Sequence, residues 1–214
     1  MTSPEKVTDA WKGDFNEVKN NLNQCINAVN LLVADAGLLA QAGVDGRLDV
    51  RADGSKHQGD FRKIVDGVNG TLDAIGAPLQ ETMALLERMA VNDYTTKIEN
   101  TYPGDYAKVT QNLNEVLGRL VNVQDTLQNI AAGDLSDLHD YKTLGQRSKN
   151  DKLNPSFIGM IESLQAVVDD AEMLAQAGGV NGQLDVRADA TRHKGAYGEV
   201  IGGINNCLDA VLVR

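Results

Sequence analysis

A repeated hexapeptide constrains the fold of this chain more than any other sequence feature. The sequence LDVRAD occupies residues 48–53 and occurs again, unchanged, at residues 184–189. The preceding sequence LAQAG is also found twice, at residues 39–43 and 174–178. Duplication of this kind predicts a chain built from repeated structural units rather than from one large core.

Five aromatic residues show the length of the repeat. Aromatic residues make up only 4% of the chain, and five of the nine fall at one recurring position, separated by 46, 45, 51 and 40 residues. The period is therefore about 45 residues with connecting segments of variable length. We expect each of these aromatics to open a helix: Phe15, Phe61, Tyr106, Phe157 and Tyr197.

Apolar residues follow each aromatic at alternating spacings of three and four, which is typical of one face of a helix. A further apolar residue beside this stripe in every copy widens it to the face needed in a four-helix bundle. We expect all-α structure with helices of roughly 25 to 30 residues. Asp14 and Glu17 have the spacing of a capping box at the first helix start.

Glycine-, Asn- or Asp-rich connectors separate the helices, and each contains isolated apolar residues that are expected to pack against the bundle. Their length allows the chain to run back along a helix, so the sequence leaves parallel and antiparallel neighbours both open. The predicted connectors are residues 43–59, 91–104, 133–154 and 178–195.

These residues resemble the tandem HAMP domains of bacterial chemoreceptors, the methyl-accepting chemotaxis proteins. The connector sequences NDYTTKI at 92–98 and GDLS at 133–136 look like the family pattern, and Pro78 falls near a first-helix start. The resemblance implies long continuous helices that form parallel four-helix bundles as a homodimer. The chain departs from the family pattern at Ala52 and Ala188, where a larger second connector residue is expected. The signalling candidates that the resemblance implies, all in connector or packing positions, are Gly46, Leu48, Val50, Gly59, Pro78, Tyr94, Ile98, Gly133, Leu135, Gly182, Leu184, Val186 and Gly195.

The same resemblance divides the chain into five HAMP-like segments. Residues 1–28 would supply the second helix of an incomplete leading unit. Four further units would follow, here named the first to the fourth: residues 29–76, 77–119, 120–164 and 165–214.

No sequence motif indicates an active site, a cofactor or a metal. The net charge of −10 disfavours nucleic acid as a partner. The three histidines, His57, His139 and His193, are expected to be solvated or to cap loops. Cys25 and Cys207 are expected to be small buried core residues.

Two further expectations concern charge and membranes. We expect Arg51 and its copy Arg187 to form solvated local ion pairs with Asp53 and Asp189, with an interface contact as the alternative. Residues 26–44 are the most apolar stretch, but Asp35 near their centre argues against a membrane span.

The sequence therefore predicts a non-catalytic signal relay of a chemoreceptor-type protein. Its partners would be a second copy of itself in a parallel homodimer and the neighbouring sensor and output domains of a longer receptor. We expect it in the cytoplasm, including as the cytosolic part of a membrane-anchored receptor. The alternatives are a static helical spacer or scaffold and the HAMP linker of a sensor histidine kinase, with an enzyme that carries an unrecognised site as a remote third class.

Overall fold

The computed structural model describes residues 4–212, and every regular element in this range is helical. The long helices are α1 (Asp14–Val44), α2 (Gly59–Ala90), α3 (Gly104–Ala131), α5 (Leu153–Ala175) and α6 (Ala196–Leu212). A short helix, α4 (Leu138–Leu144), precedes α5, and single 3₁₀ turns lie at Gly54–Lys56 and Ala190–Arg192. The prediction of an all-α chain is confirmed.

The chain divides between Arg119 and Leu120 into two compact bodies, each with its own packing. The N-terminal body holds the first and second units, and the C-terminal body holds the third and fourth. The unit boundaries predicted from the sequence remain predictions.

The helices of the first unit are parallel, because its connector runs back along α2. Arg51 of the connector bonds Asp73 of α2, whereas His57 lies directly before the start of α2 at Gly59. His57 also contacts Asp35, which precedes the end of α1. The C-terminal end of α1 therefore lies level with Asp73, and both helices point the same way.

The second and fourth units repeat this path. In the second unit, Asn100 bonds Glu81 of α2 and Ile98 bonds Asn114 of α3. In the fourth unit, His193 contacts Asp170 of α5, and Arg187 bonds Asp209 of α6. The structure thus resolves the question that the sequence left open, in favour of parallel helices in these three units.

Each of these units has a small apolar cluster with a connector residue at its centre. In the first unit, buried Ala52 lies between Leu39 and Val65. In the second, Ile98 lies between Leu85 and Leu117. In the fourth, the cluster comprises Leu174, Ala188 and Ile201. Two helices and a connector bury only these few side chains.

The third unit departs from the pattern. Its predicted connector, residues 133–154, contains helix α4, whose Tyr141 stacks on Phe157 with ring centroids 5.0 Å apart. The hydroxyl of Tyr141 lies 3.0 Å from that of Thr126 on α3. Apolar residues in α4 thus replace the isolated connector residues that pack the other units.

One prediction about a helix start is wrong. Helix α1 starts at Asp14, but no side chain caps it and its N-cap is Gly13 with φ 58°. The chain enters this helix through a left-handed glycine, so the predicted capping box at Asp14 and Glu17 does not form.

A π-helical turn at Gln176–Val180 follows α5. Leu39 matches Leu174 at an offset of 135 residues, whereas Leu48 matches Leu184 at an offset of 136. The fourth unit therefore has one more residue than the first between these points. A π turn holds one additional residue within a helix, so it accommodates the insertion.

Candidate functional site

The connectors hold most of the residues singled out from the sequence, and they bring those residues onto the helices in a common way. Val50, Tyr94 and Val186 pack against the three apolar clusters, and Ile98 is buried within one. Leu48, Leu135 and Leu184 are half-buried. Pro78 is buried inside α2, which continues through it without a break.

Residues with positive φ, nearly all of them glycine, lie at the two ends of the connectors. Gly46, Gly133 and Gly182 follow the first helices with φ of 72°, 82° and 68°. Asn92, with φ 60°, takes the same role in the second unit and is the one non-glycine residue with positive φ among those described. Gly59 and Gly195, with φ of 56° and 55°, lie at the starts of the second helices. Side chains with a Cβ are disfavoured in this conformation, which explains why these positions hold glycine or Asn.

An asparagine clamp fixes the second apolar residue of the connector, a feature that the sequence analysis missed. The Asn69 side chain accepts a hydrogen bond from the Ala52 amide at 3.1 Å and donates one to the Ala52 carbonyl at 2.8 Å. Asn114 binds Ile98 at 3.0 and 2.8 Å, and Asn205 binds Ala188 at 3.1 and 2.8 Å. The clamp satisfies backbone groups that burial would otherwise leave unpaired.

The clamp also occurs at the N-terminal end of the described chain. Asn23 of α1 binds the Val7 amide and carbonyl at 2.9 and 3.0 Å. Residues 4–13 therefore lie against α1 as the end of a connector. Helix α5 has Gln165 at this position, and its side chain bonds Asp169 instead.

The Arg51 and Arg187 side chains pair with a helix, not with their neighbours in sequence. The Nε and Nη2 atoms of Arg51 bond Oδ1 of Asp73 at 2.9 and 2.7 Å, and its Nη1 donates to the carbonyls of Leu48 and Val50. The corresponding atoms of Arg187 bond Asp209 at 2.9 and 2.5 Å. The predicted local pairs with Asp53 and Asp189 are therefore wrong, because a fork of donors fits an aligned carboxylate on the next helix better.

The carboxylates of Asp53 and Asp189 instead close short turns. Asp53 accepts from the Ser55 hydroxyl and amide, and Asp189 accepts in the same way from Thr191. The hydroxyl hydrogen bond, followed by the amide hydrogen bond, lowers the pKa of each carboxyl below its ordinary value. These turns start the 3₁₀ segments that lead the connector towards the second helix.

The side chains of two of the three histidines are buried, so of the two expectations for these residues, solvation is wrong for His57 and His193. The Nε2 atom of His57 lies 2.6 Å from Oδ2 of Asp35, and the His57 side chain is 1% exposed. His193 lies 2.7 Å from Asp170 and its side chain is 2% exposed. Each contact joins a connector to the first helix of its unit. His139 is exposed, as expected.

The first and fourth units differ where the connector comes closest to the second helix. A Cβ atom on Gly54 would lie 2.1 Å from Oδ1 of Asp66. The fourth unit has Ala190 in place of Gly54, and Gly202 in place of Asp66. In the first unit the helix residue at this contact has a side chain and the connector residue is glycine, whereas in the fourth unit the reverse is true. This exchange is expected where the connector and the helix are in direct contact.

Most of the helix-opening aromatics and both cysteines are at least partly exposed, so a single chain does not bury its whole apolar stripe. Phe15 is 74% exposed and Tyr106 is 36% exposed, Phe61 and Tyr197 are half-buried, and Phe157 is buried. Cys25 and Cys207 are exposed, so the prediction that they are buried is wrong for a single chain. Among residues 4–212, the part of the apolar stripe around each cysteine stays exposed.

No group of three or more potential metal ligands occurs in residues 4–212. Among the described helices, α1 alone is long and apolar enough to cross a membrane, judged by length and composition. Core helices of soluble proteins meet the same test. In this structure Leu39 and Ala42 of α1 are buried and Asp35 pairs with His57.

Comparison with known protein families agrees with this geometry. Residues 2–31 and 56–122 match the family model of the HAMP domain. These two segments, which together make up somewhat less than half of the chain, are similar to the HAMP domain. The second match covers α2, the connector of the second unit and most of α3, whereas the first covers the Asn23 clamp and the first half of α1. No curated protein and no solved structure matched the chain.

The HAMP domain is a helical, non-catalytic linker of signal-transduction proteins, and it occurs in the cytoplasmic region of membrane receptors. The HAMP match therefore supports a linker role in signal transduction for the matched segments. It also agrees with the expectation that the chain is not an enzyme.

Proposed function

We propose that this chain is a relay of stacked HAMP units that pairs with a second copy of itself, and that it passes conformational changes from a sensor towards a kinase-controlling output. The observation that carries the proposal is an apolar stripe left exposed on both helices of each parallel pair. Residues of the stripe on α2 are Ile64, Val68, Leu79, Met83 and Leu86, each between 41% and 50% exposed.

The exposed stripe continues on the other long helices. Apolar residues along α1, α3 and α6 are also exposed. Other apolar residues of the same three helices are buried in the three clusters. These exposed residues are Val18, Leu22, Val29, Val109, Val116, Val200 and Val211. Solvent-exposed apolar surface of this extent indicates an interface.

A second copy of the chain fits this surface better than a different partner does. Each unit presents two parallel helices with apolar faces, which is half of a four-helix bundle. A two-fold axis parallel to the helices would place each stripe against its own copy, and such interfaces are self-complementary. The parallel homodimer completes every bundle with one symmetry operation.

A relay mechanism follows from continuous helices. Helix α2 serves as the second helix of the first unit and continues as the first helix of the second, and α3 likewise continues across the next boundary. A rotation or shift of one bundle is therefore carried directly into the next. Packed bundles change between discrete arrangements rather than deforming smoothly, so neighbouring units bias one another.

Light scattering coupled to size exclusion provides the first test. A dimer has a mass of about 46 kDa, twice the 23.0 kDa of the chain. A mass that stays at 23 kDa over a wide concentration range would contradict the homodimer.

The native cysteines test whether the dimer is parallel. Cys25 and Cys207 lie in the exposed stripe near opposite ends of the chain. In a parallel dimer each cysteine faces its own copy, so Cys25→Ser and Cys207→Ser variants should each still form cross-linked dimers under mild oxidation. In an antiparallel dimer neither cysteine would lie beside its own copy, so both single variants would lose cross-linking.

Two alternatives make different predictions. A static spacer should show uniform amide protection along each helix, whereas a relay should show units of different stability. The linker of a sensor histidine kinase would share the homodimer and the relay but would be followed by a kinase core in the longer protein. We favour a chemoreceptor because of the tandem arrangement of the units, and we place the relay in the cytoplasm with sensor and output domains as neighbours.

A further inference from the structure

The connector of the first unit is joined by charged groups to both of its helices. Arg51 bonds Asp73 of α2, and His57 contacts Asp35 of α1 at 2.6 Å. Asp73 lies about 21 Å along α2 from the helix start next to His57. The connector is therefore a strap with one attachment at each end of the paired helices.

The fourth unit has the same strap. Arg187 bonds Asp209 of α6 and the carbonyls of Leu184 and Val186, with the same set of donor atoms as Arg51. His193 contacts Asp170 of α5 at 2.7 Å. These attachments persist although Asp170 and His193 are 23 residues apart and Asp35 and His57 are 22 residues apart, which indicates that the strap is a built feature of both units.

The second unit has only half of this strap. Lys97 occupies the position of Arg51 and Gly118 that of Asp73, so the pair cannot form. Arg88 pairs with Asp93 at 2.9 Å, which joins the connector to the first helix. No ion pair joins described residues 91–103 to α3, where the Asn114 clamp is the polar attachment.

We propose that Arg51 and Arg187 are latches that hold the first and fourth units in one helix arrangement until the arginine–aspartate contact opens. Axial sliding or rotation of one helix against its parallel neighbour would separate one attachment of the strap from its partner. The latched units then resist a change that the second unit accepts. This inference rests on the proposed relay function and adds a control point to it.

Hydrogen exchange of the full-length chain, followed by mass spectrometry, tests the latch. Asp73→Asn should speed exchange of amides in residues 45–58 by about three- to fivefold, since the lost contact is an exposed ion pair. Arg51→Ala, which also removes two carbonyl contacts, should have a larger effect, about tenfold.

Matched controls lie on the same connector. Asp49→Asn makes the same change of charge at an exposed residue, and Arg47→Ala removes an arginine whose partner is the neighbouring Asp45. Neither control should alter exchange in residues 45–58 by more than about twofold. Equal exchange in Asp73→Asn and Asp49→Asn would overturn the latch.

Cross-linking at Cys25 shows whether the latch controls helix packing. Cys25 lies on α1, on the N-terminal side of Asp35, and does not contact Arg51 or Asp73. In the Cys207→Ser background, Asp73→Asn should change the rate of Cys25 cross-linking at least threefold relative to Asp49→Asn. An unchanged rate would reduce the strap to a local contact and overturn the proposal.

Failure of the latch and failure of the relay give different results. A wild-type chain that forms no cross-link and remains at 23 kDa contradicts the homodimer, while the exchange comparison still decides whether Arg51 holds the connector. A cross-linked parallel dimer with no exchange difference leaves the homodimer intact and overturns the latch alone.

Discussion

The first and second units have the same backbone path but hold it with different side chains. In the first unit the central connector residue is the small Ala52, and charged attachments reach both helices. In the second unit the larger Ile98 takes this place, and no arginine–aspartate pair joins the connector to α3. The first unit thus holds its connector with charged contacts, and the second unit holds its connector with a larger buried side chain. We expect these two kinds of contact to differ in how readily they let one helix slide along the other.

The largest expected effect comes from Ile98→Ala in the second unit. Ile98 is buried between α2 and α3, so its loss should lower the free energy of unfolding by about 2 to 4 kcal/mol. Urea unfolding monitored by circular dichroism measures this change. Val91→Ala, an exposed change on the same connector, should have almost no effect. A small loss for Ile98→Ala would show that the second unit does not depend on apolar volume.

The asparagine clamp should matter equally in both units. Asn69→Ala leaves the amide and carbonyl of buried Ala52 unpaired and should cost about 1 to 3 kcal/mol, and Asn114→Ala should cost a similar amount. Gln165→Ala is the matched control, because this position has no clamp on α5. Equal stability losses at all three positions, measured by denaturant unfolding, would argue against the clamp.

Glycines inside α2 should lower the stability of this helix. A Cβ on Gly67 or Gly70 would contact nothing within 4 Å, so Gly67→Ala with Gly70→Ala should stabilise α2 by about 1 to 2 kcal/mol and raise the melting temperature. The control Gly59→Ala should lower it, because Gly59 has φ 56°. If the melting temperature of the double variant does not rise, these two glycines do not lower the stability of α2.

The smallest effect concerns acid stability in the connectors of the first and fourth units. Hydrogen bonds from Ser55 hold the pKa of Asp53 below its unfolded value, so Asp53 contributes stability above that value and loses it as pH falls through the lower folded pKa. Asp53→Asn should therefore flatten the acid limb of a stability–pH curve relative to that of the wild-type chain. Identical acid limbs would show that the Asp53 turn adds nothing to stability.

The sequence predicted the helices and the repeat because both depend on local periodicity. The spacing that begins at Phe15 and Phe61 depends on residues three and four apart, and the connectors were visible as breaks in that spacing. The clamp could also have been found, because Asn follows the aromatic by eight residues in four of five copies: Asn23, Asn69, Asn114 and Asn205.

The arginine–aspartate latch and the burial of the histidines could not be predicted from local sequence patterns. Arg51 and Asp73 are 22 residues apart, as are Asp35 and His57, and both contacts depend on the direction in which the connector returns. The sequence left that direction open. The exposed cysteines were misjudged for a related reason: a heptad pattern identifies a face that needs covering but does not say whether the cover comes from the same chain.

The π turn after α5 has a consequence for how such chains evolve. Insertion of one residue into an ordinary helix rotates everything beyond it by about 100° and would carry an apolar stripe away from its neighbour. At Gln176–Val180 the additional residue is confined to one wide turn, and Asp170 and His193 still meet, as Asp35 and His57 do. Duplicated units can therefore gain or lose a residue at this junction and still inherit the same contacts, which makes it a tolerant site for natural length variation and for domain grafting.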